Sequence, residues 1–238
     1  MSLTRPDLAA PDLSGADLPD AVRSLALRCG ARQDEPGSAV ILSQTGFMRN
    51  GAEDRPIHFT ARETIQLETT EFQWTAGCEP LNLLTVKDEL RGERGKLSLL
   101  AFGAVPLFPA IAGLEATRGE TMRYLAELPW APDAILHNRE LSWRTLDSRT
   151  FLVSAGKGDL YSRVVLKLGD DGLVCSVLAE GRPRREGRRF VERSWRGRFS
   201  AYQERHGRMV PGRGEVGWVI EGSGFDCWIG ELQDWRIQ

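Results

Sequence analysis

From residue 40 to the C-terminus, apart from an interruption over 103–140, apolar and polar side chains alternate with a period of two, and turn-forming residues separate the alternating segments. A β-strand sends successive side chains to opposite faces, so the pattern describes a sheet with one buried face and one wetted face. Residues 40–48 read as a strand, Asn50-Gly51 as its turn and 57–67 as the return strand. The buried phase then slips, since Ile65 and Leu67 are odd-numbered while Phe72 and Trp74 are even. A short loop or bulge over 68–71 restores register. Strands at 72–76 and 81–88 follow, and the glycines at 92 and 95 turn the chain into 96–102. The last hundred residues add strands at 141–146, 150–155, 161–168, 173–180, 188–195, 198–205, 208–210, 216–220 and 227–237. No regular β-α-β alternation occurs, which disfavours a doubly wound nucleotide fold. The expected fold is mainly β (α+β): an antiparallel open barrel or strongly curved sheet, with helices on its concave face.

Two segments break the β pattern. Asp17 is placed to cap a helix with Pro19 in its first turn, carrying Val22, Leu25, Ala26 and Cys29 at helical spacing and ending at Gly30. Residues 103–116 are apolar but hold Pro106 and Pro109, which argues against regular structure. Thr117-Arg118-Gly119-Glu120 then fits a capping box for a helix over 117–128, stopped by Pro129, with a short helical turn near 134–136. Residues 1–16 read as a loose tail and 17–238 as one β-rich domain.

Several activities are made unlikely. The net charge is −2, and a whole-surface nucleic-acid binder is normally basic, so no DNA partner is expected. Cys29, Cys78, Cys175 and Cys227 are too widely spaced for a zinc site or a disulfide framework and read as buried thiols. His58, His137 and His206 have no second ligand at metal spacing. Gly212-Arg213-Gly214-Glu215-Val216-Gly217 matches G-x-G-x-x-G, but Pro211 precedes it and Trp218-Val219-Ile220 follows, so it reads as a glycine-rich hairpin connection rather than a phosphate cradle. Gly92 to Lys96 is too short for a P-loop, and no serine sits in a G-x-S-x-G elbow. Neither cofactor nor metal is expected, and no catalytic residue is marked. No apolar run is long enough for a membrane helix. The first residues carry no apolar secretory stretch, which makes the cytoplasm the expected compartment. Oligomeric state has no signature.

Three features point to binding. Seven tryptophans are more than a core of this size requires, and rings facing into a curved sheet can line a cavity for an apolar ligand. Phe72, Trp74, Phe102, Tyr124, Trp130 and Trp143 are the candidate lining. Arg123 and Glu127, four apart on the central helix, are its candidate polar groups. The expected partner is therefore a lipid or other apolar small molecule. An enzyme, a hydrolase or isomerase working around Arg123, Glu127 and Trp130, is the alternative, with Glu127 as acid or base. Finally, eight arginines lie between 182 and 198. Arg184, Arg185, Arg188 and Arg189 are candidates for an anionic surface, RNA or peripheral contact with an anionic membrane.

The decapeptide Arg123-Tyr124-Leu125-Ala126-Glu127-Leu128-Pro129-Trp130-Ala131-Pro132 resembles the central motif of an uncharacterised bacterial family, a domain of unknown function. Phe72-Gln73-Trp74, 141–143, 167–172, 195–202 and Gly207-Arg208-Met209-Val210-Pro211 with Glu215-Val216-Gly217-Trp218 match it too, so the resemblance covers most of the chain from residue 18. More distantly, the C-terminal half is similar to lipoprotein carriers of the LolA type, in its hairpin around Asp171-Gly172 and the aromatic-rich strand ending in a G-x-x-x-P turn. That resemblance implies an open antiparallel barrel with helices plugging its concave face, and a hollow that holds acyl chains.

Overall fold

The computed structural model describes residues 18–34 and 37–238. Helix α1 (Asp20–Arg28) is followed by β1 (Ala39–Met48), β2 (Ile57–Gln66), β3 (Phe72–Cys78), β4 (Leu84–Arg91) and β5 (Arg94–Ala101). Two short strands, β6 (Val105–Pro106) and β7 (Ile111–Ala112), lead into α2 (Leu114–Glu127), a 3-10 turn (Leu128–Trp130) and α3 (Pro132–His137). The second half holds β8 (Ser142–Asp147), β9 (Thr150–Ala155), β10 (Ser162–Leu168), β11 (Val174–Glu186), β12 (Arg189–Arg205), β13 (Arg208–Ile220) and β14 (Ser223–Ile237).

All strands join one antiparallel sheet in the order β6-β5-β4-β3-β2-β1-β14-β13-β12-β11-β10-β9-β8, with β7 also on β5. It is two meanders sewn together where the first strand meets the last, Val40 opposite Ile237. Both limbs curl around α2, which packs on β4 and β5 from one side and on β9, β10 and β11 from the other. The result is the expected curved sheet with its central helix on the concave face.

The phase slip at 68–71 is a hairpin loop that leaves Ile65 opposite Phe72, both buried. Four local expectations are corrected. The Asn50-Gly51 turn lies within a longer connection, 49–56, in which the Asp54 carboxylate accepts the Gly51 amide at 2.7 Å. Arg198 does not begin a new strand: β12 runs through Gly197, whose missing Cβ would lie 2.8 Å from Val177 Cγ2. The glycine-rich stretch from Gly212 is likewise the interior of β13, because Gly214 leaves room for the Trp130 ring, 2.6 Å from where a Cβ would stand. The capping box is also absent. Helix α2 opens at Leu114 behind Gly113, whose φ of 113° suits glycine. Thr117 lies inside the first turn, where its hydroxyl donates to the Gly113 carbonyl (3.0 Å) and accepts from the Gly95 amide (2.9 Å). In α1, Pro19 occupies the N-cap position; Asp17 and the expected tail over 1–16 lie outside the described residues.

The contact at Gly95 fixes α2 against β5. A Cβ there would stand 2.6 Å from Thr117 Cα and 2.8 Å from the Ala116 carbonyl oxygen, which are backbone atoms that cannot rotate away. Gly95→Ala is expected to lower stability by about 1–3 kcal/mol in urea unfolding, the usual range for overpacking.

The two ends of the half-barrel differ. At one end α1 and α3 pack on each other. There the Arg208 guanidinium grips the Asp133 carboxylate through two bonds, 3.1 and 2.8 Å, and the Arg32 amide donates to the same carboxylate at 3.2 Å. This closed end buries Val40, Leu42, Ile65, Leu90, Val210 and Trp235. The other end carries the loops 49–56, 79–83, 102–104, 187–188 and 221–222. Continuing along the same inward phase towards these loops, burial fades: Met48, Leu84, Val86, Trp218, Phe225 and Trp228 are half-buried and Ile57 is exposed.

Candidate ligand-binding site

The deep part of the concave face is built around Arg123, which α2 lowers onto β2, β3 and β4. Its Nη2 donates to Glu63 (3.1 Å), its Nη1 to Asp88 (2.6 Å) and its Nε to Glu127 (2.9 Å). The guanidinium lies over the rings of Phe72 and Trp74, 4.8 and 5.1 Å from their centroids. Trp74 Nε1 donates to Gln44 Oε1 at 3.3 Å. Glu120, one turn back on α2, adds a fourth buried carboxyl.

Four carboxyls around one guanidinium cannot all be ionised out of water. Burial pushes Glu63 well above the ordinary carboxylate range, and the charge of the neighbouring Glu127 pushes it further. Burial does the same to Glu120, and the charge of the neighbouring Asp88 adds to it. One oxygen of each of these four carboxyls finds no donor among the amides, hydroxyls and guanidinium nitrogens around it. Burial thus keeps Glu63 and Glu120 protonated to higher pH than a carboxyl in water. Arg123 is the cation bonded within this cluster, and Arg182 faces Glu120 without a hydrogen bond to it.

Among the residues expected to line a pocket, Phe72, Trp74, Arg123 and Glu127 do meet, but in a packed cluster. Tyr124 is fully buried, its hydroxyl donating to the Gln66 carbonyl (2.9 Å) and accepting from Asn138 Nδ2 (2.8 Å). Trp130 lies apart from Arg123. It donates to the Pro211 carbonyl (2.9 Å), its ring meets Phe199 and Trp228 edge-on, and its own carbonyl accepts from Trp235 Nε1 (2.8 Å). Among the described residues no hydrogen bond or ring contact joins Trp130 to Arg123 or Glu127. Trp143 is buried on β8, and Phe102 stands out in solvent at 74% exposure. The decapeptide 123–132 thus fills and fastens the closed end. His137 Nε2 contacts the Arg32 carbonyl (2.7 Å), His58 packs on Phe47 and His206 on Trp235. Cys29 and Cys78 are buried and Cys175 and Cys227 half-buried, all as free thiols; burial pushes Cys29 up to about 11 and raises Cys227 too, so neither is an activated nucleophile.

The arginines from 182 to 198 do not form one basic band. Arg185, Arg188 and Arg189 are exposed around the β11–β12 turn. Arg193 is held by both oxygens of Glu186, and Arg198 by Glu215 and Asp226. Arg182 and Arg184 instead lie against the rings of Trp195, Trp218 and Phe225. Outside the barrel, Lys96, Ser98 and Leu100 of β5 form with Leu107, Phe108 and Pro109 an open groove of about 450 Å³ that holds none of the expected lining residues.

The sequence reading missed Glu63, Asp88 and Glu120. Glu63 stands in the buried phase between Ala61 and Ile65, and Asp88 between Val86 and Leu90. A carboxylate on the apolar phase of a strand was the available signal. The residues of the open end were missed because half-burial leaves no mark on an alternating pattern.

No curated protein matches the chain. Its structure is similar to that of a LolA superfamily protein from Nitrosomonas europaea, with 10% identity over 91% of this chain and 93% of the other and a TM-score of 0.48. It is similar in the same degree to a putative outer membrane lipoprotein-sorting protein domain from Vibrio parahaemolyticus, with 9% identity over 92% and 91% of the two chains and a TM-score of 0.48. The sequence pattern of a family of unknown function, DUF6544, matches residues 8–230, and the chain belongs to that family.

Proposed function

We propose that the protein is a non-catalytic binder of a lipid or other apolar ligand, seated at the open end of the concave face. The observation that carries this reading is the fading burial along the inward phase. Met48, Ile57, Val86, Trp218 and Trp228 face inward as core residues do, yet keep part of their surface in water. Covering such surface gains roughly 25 cal/mol per Å², and strand-borne side chains lose little freedom in the process. The ligand does not extend into the closed end, which is filled by Phe72, Tyr124, Leu125 and Trp130.

The uncharged fluorophore N-phenyl-1-naphthylamine tests the site. It is expected to brighten on binding, and lipid extract is expected to displace it and to leave adducts in native mass spectra. Val86→Asp, placing a charge on the apolar seat, is expected to weaken binding at least about tenfold. A probe that stays dark, with no lipid adduct, refutes the reading.

A further inference from the structure

Beside the apolar seat, arginines and aromatic rings alternate. The Arg182 guanidinium lies 4.4 Å from the Trp195 centroid and 5.5 Å from that of Trp218. Arg184 lies 5.1 Å from Trp218 and 5.4 Å from Phe225, and Arg49 lies 5.7 Å from Phe225. The row crosses β11, β12, β13 and β14 and ends at the 49–56 loop, at the open end.

Among the described residues these three cations have no carboxylate in hydrogen-bond contact. Arg49 donates to the carbonyls of Asp226 (2.9 Å) and Ala52 (2.7 Å), Arg182 to that of Gly119 (3.2 Å) and Arg184 to that of Asn50 (2.7 Å). The acids nearby are engaged elsewhere. Glu186 gives both oxygens to Arg193 and stays 3.9 Å from Arg184 Nε. Glu192 pairs with Arg118 and the Asp226 carboxylate with Arg198, while Glu120 faces Arg182 without a hydrogen bond to it. Arg184 is left with Nε and Nη1 buried and without a hydrogen-bond partner. Unmade bonds on a buried charged group are costly, and ring contacts replace them only in part.

We infer that Arg184, with Arg182 and Arg49, holds the acidic head, a carboxylate or phosphate, of an amphiphile whose apolar part occupies the seat described above. The inference rests on that reading and narrows it to anionic ligands. The acid takes the place of the Asn50 carbonyl on Nη2 and reaches Nη1 beside it, the paired geometry in which a guanidinium binds an oxyanion best. Asn50 belongs to the exposed 49–56 loop, so this edge of Arg184 is reached from the open end.

The test compares calorimetric binding of oleate, oleyl alcohol and inorganic phosphate to the full chain. Oleate and oleyl alcohol share a hydrocarbon tail and differ in the head. Oleate is expected to bind at least about tenfold more tightly, as one charge-assisted hydrogen bond implies, with the advantage shrinking as salt rises. Arg184→Gln is expected to abolish the preference while oleyl alcohol binds as before. Arg49→Gln, at the half-buried start of the loop and away from the Arg123 cluster, is expected to reduce it about threefold. Equal binding of the two amphiphiles, or a preference that survives both substitutions, overturns this inference and leaves the apolar seat standing. Binding of neither amphiphile removes the seat and the inference together. Phosphate bound without either amphiphile overturns it in favour of a free-anion site.

Discussion

Arg123→Met is expected to cost about 3–5 kcal/mol in urea unfolding, the range for removing one partner from a buried ion-pair network. Methionine keeps most of the chain's volume over Phe72 and Trp74, so the loss reports charge rather than a cavity. The guanidinium is the only cation bonded to Glu63, Asp88 and Glu127 among the described residues, at 3.1, 2.6 and 2.9 Å. Without it these carboxyls must take up further protons or hold α2 away from β2 and β4. Arg123→Lys is expected to recover only part of the loss. An ammonium is a point charge that cannot reach three carboxyls from one plane or lie flat on two rings. Pairing Arg123→Met with Glu63→Leu is expected to restore some stability, because the unpaired acid leaves with its partner. A loss below about 1 kcal/mol for Arg123→Met would show that the cluster does not hold the helix to the sheet.

The sheet was legible because alternation is a one-dimensional record of a two-faced object. Residues 57–67 show it: Phe59, Ala61 and Ile65 announce the inward face, and the slip at Phe72 announces the hairpin. Strand lengths were less legible, since Gly197 and Gly214 read as breaks. Their role, leaving space for Val177 and for the Trp130 ring, depends on partners 20 and 84 residues away in the chain. The capping box at Thr117 failed for a similar reason, because the Gly95 amide from β5 competes for the hydroxyl. For the site, the pairing of Arg123 with Glu127 was visible as an i, i+4 spacing, and Phe72 and Trp74 as inward rings. That these groups fill the concavity was not visible. Periodicity says which way a side chain points, and only three-dimensional packing says whether space remains beyond it. The arginines sorted themselves by a rule the sequence did contain: 182 and 184 share one strand phase and 185 has the other. Read without that parity, they formed a stripe that the fold divides.

Stability is expected to fall as pH rises above about 5. Glu63 and Glu120 hold protons in the folded chain well above the ordinary carboxylate value of 4.5, at which the unfolded chain releases them. Above that value the folded state therefore binds more protons, and unfolding becomes easier with each increment of pH until the folded carboxyls themselves ionise. Each proton retained by the folded chain steepens the fall by about 1 kcal/mol per pH unit at most. Asp147, Glu186 and Glu215 are shifted the other way by their hydrogen bonds. Their contribution is complete above the ordinary range and is lost only in acid, so it does not oppose the fall between pH 5 and 8. Glu63→Gln and Glu120→Gln separate the two protons. Glutamine keeps a donor and cannot ionise, so each variant is expected to show a shallower fall than the parent chain. At pH 8 each should match or exceed the parent chain in stability. Urea midpoints at pH 5, 6, 7 and 8 decide the matter. A flat profile in the parent chain would mean that Glu63 and Glu120 are held ionised beside Arg123 rather than raised by burial.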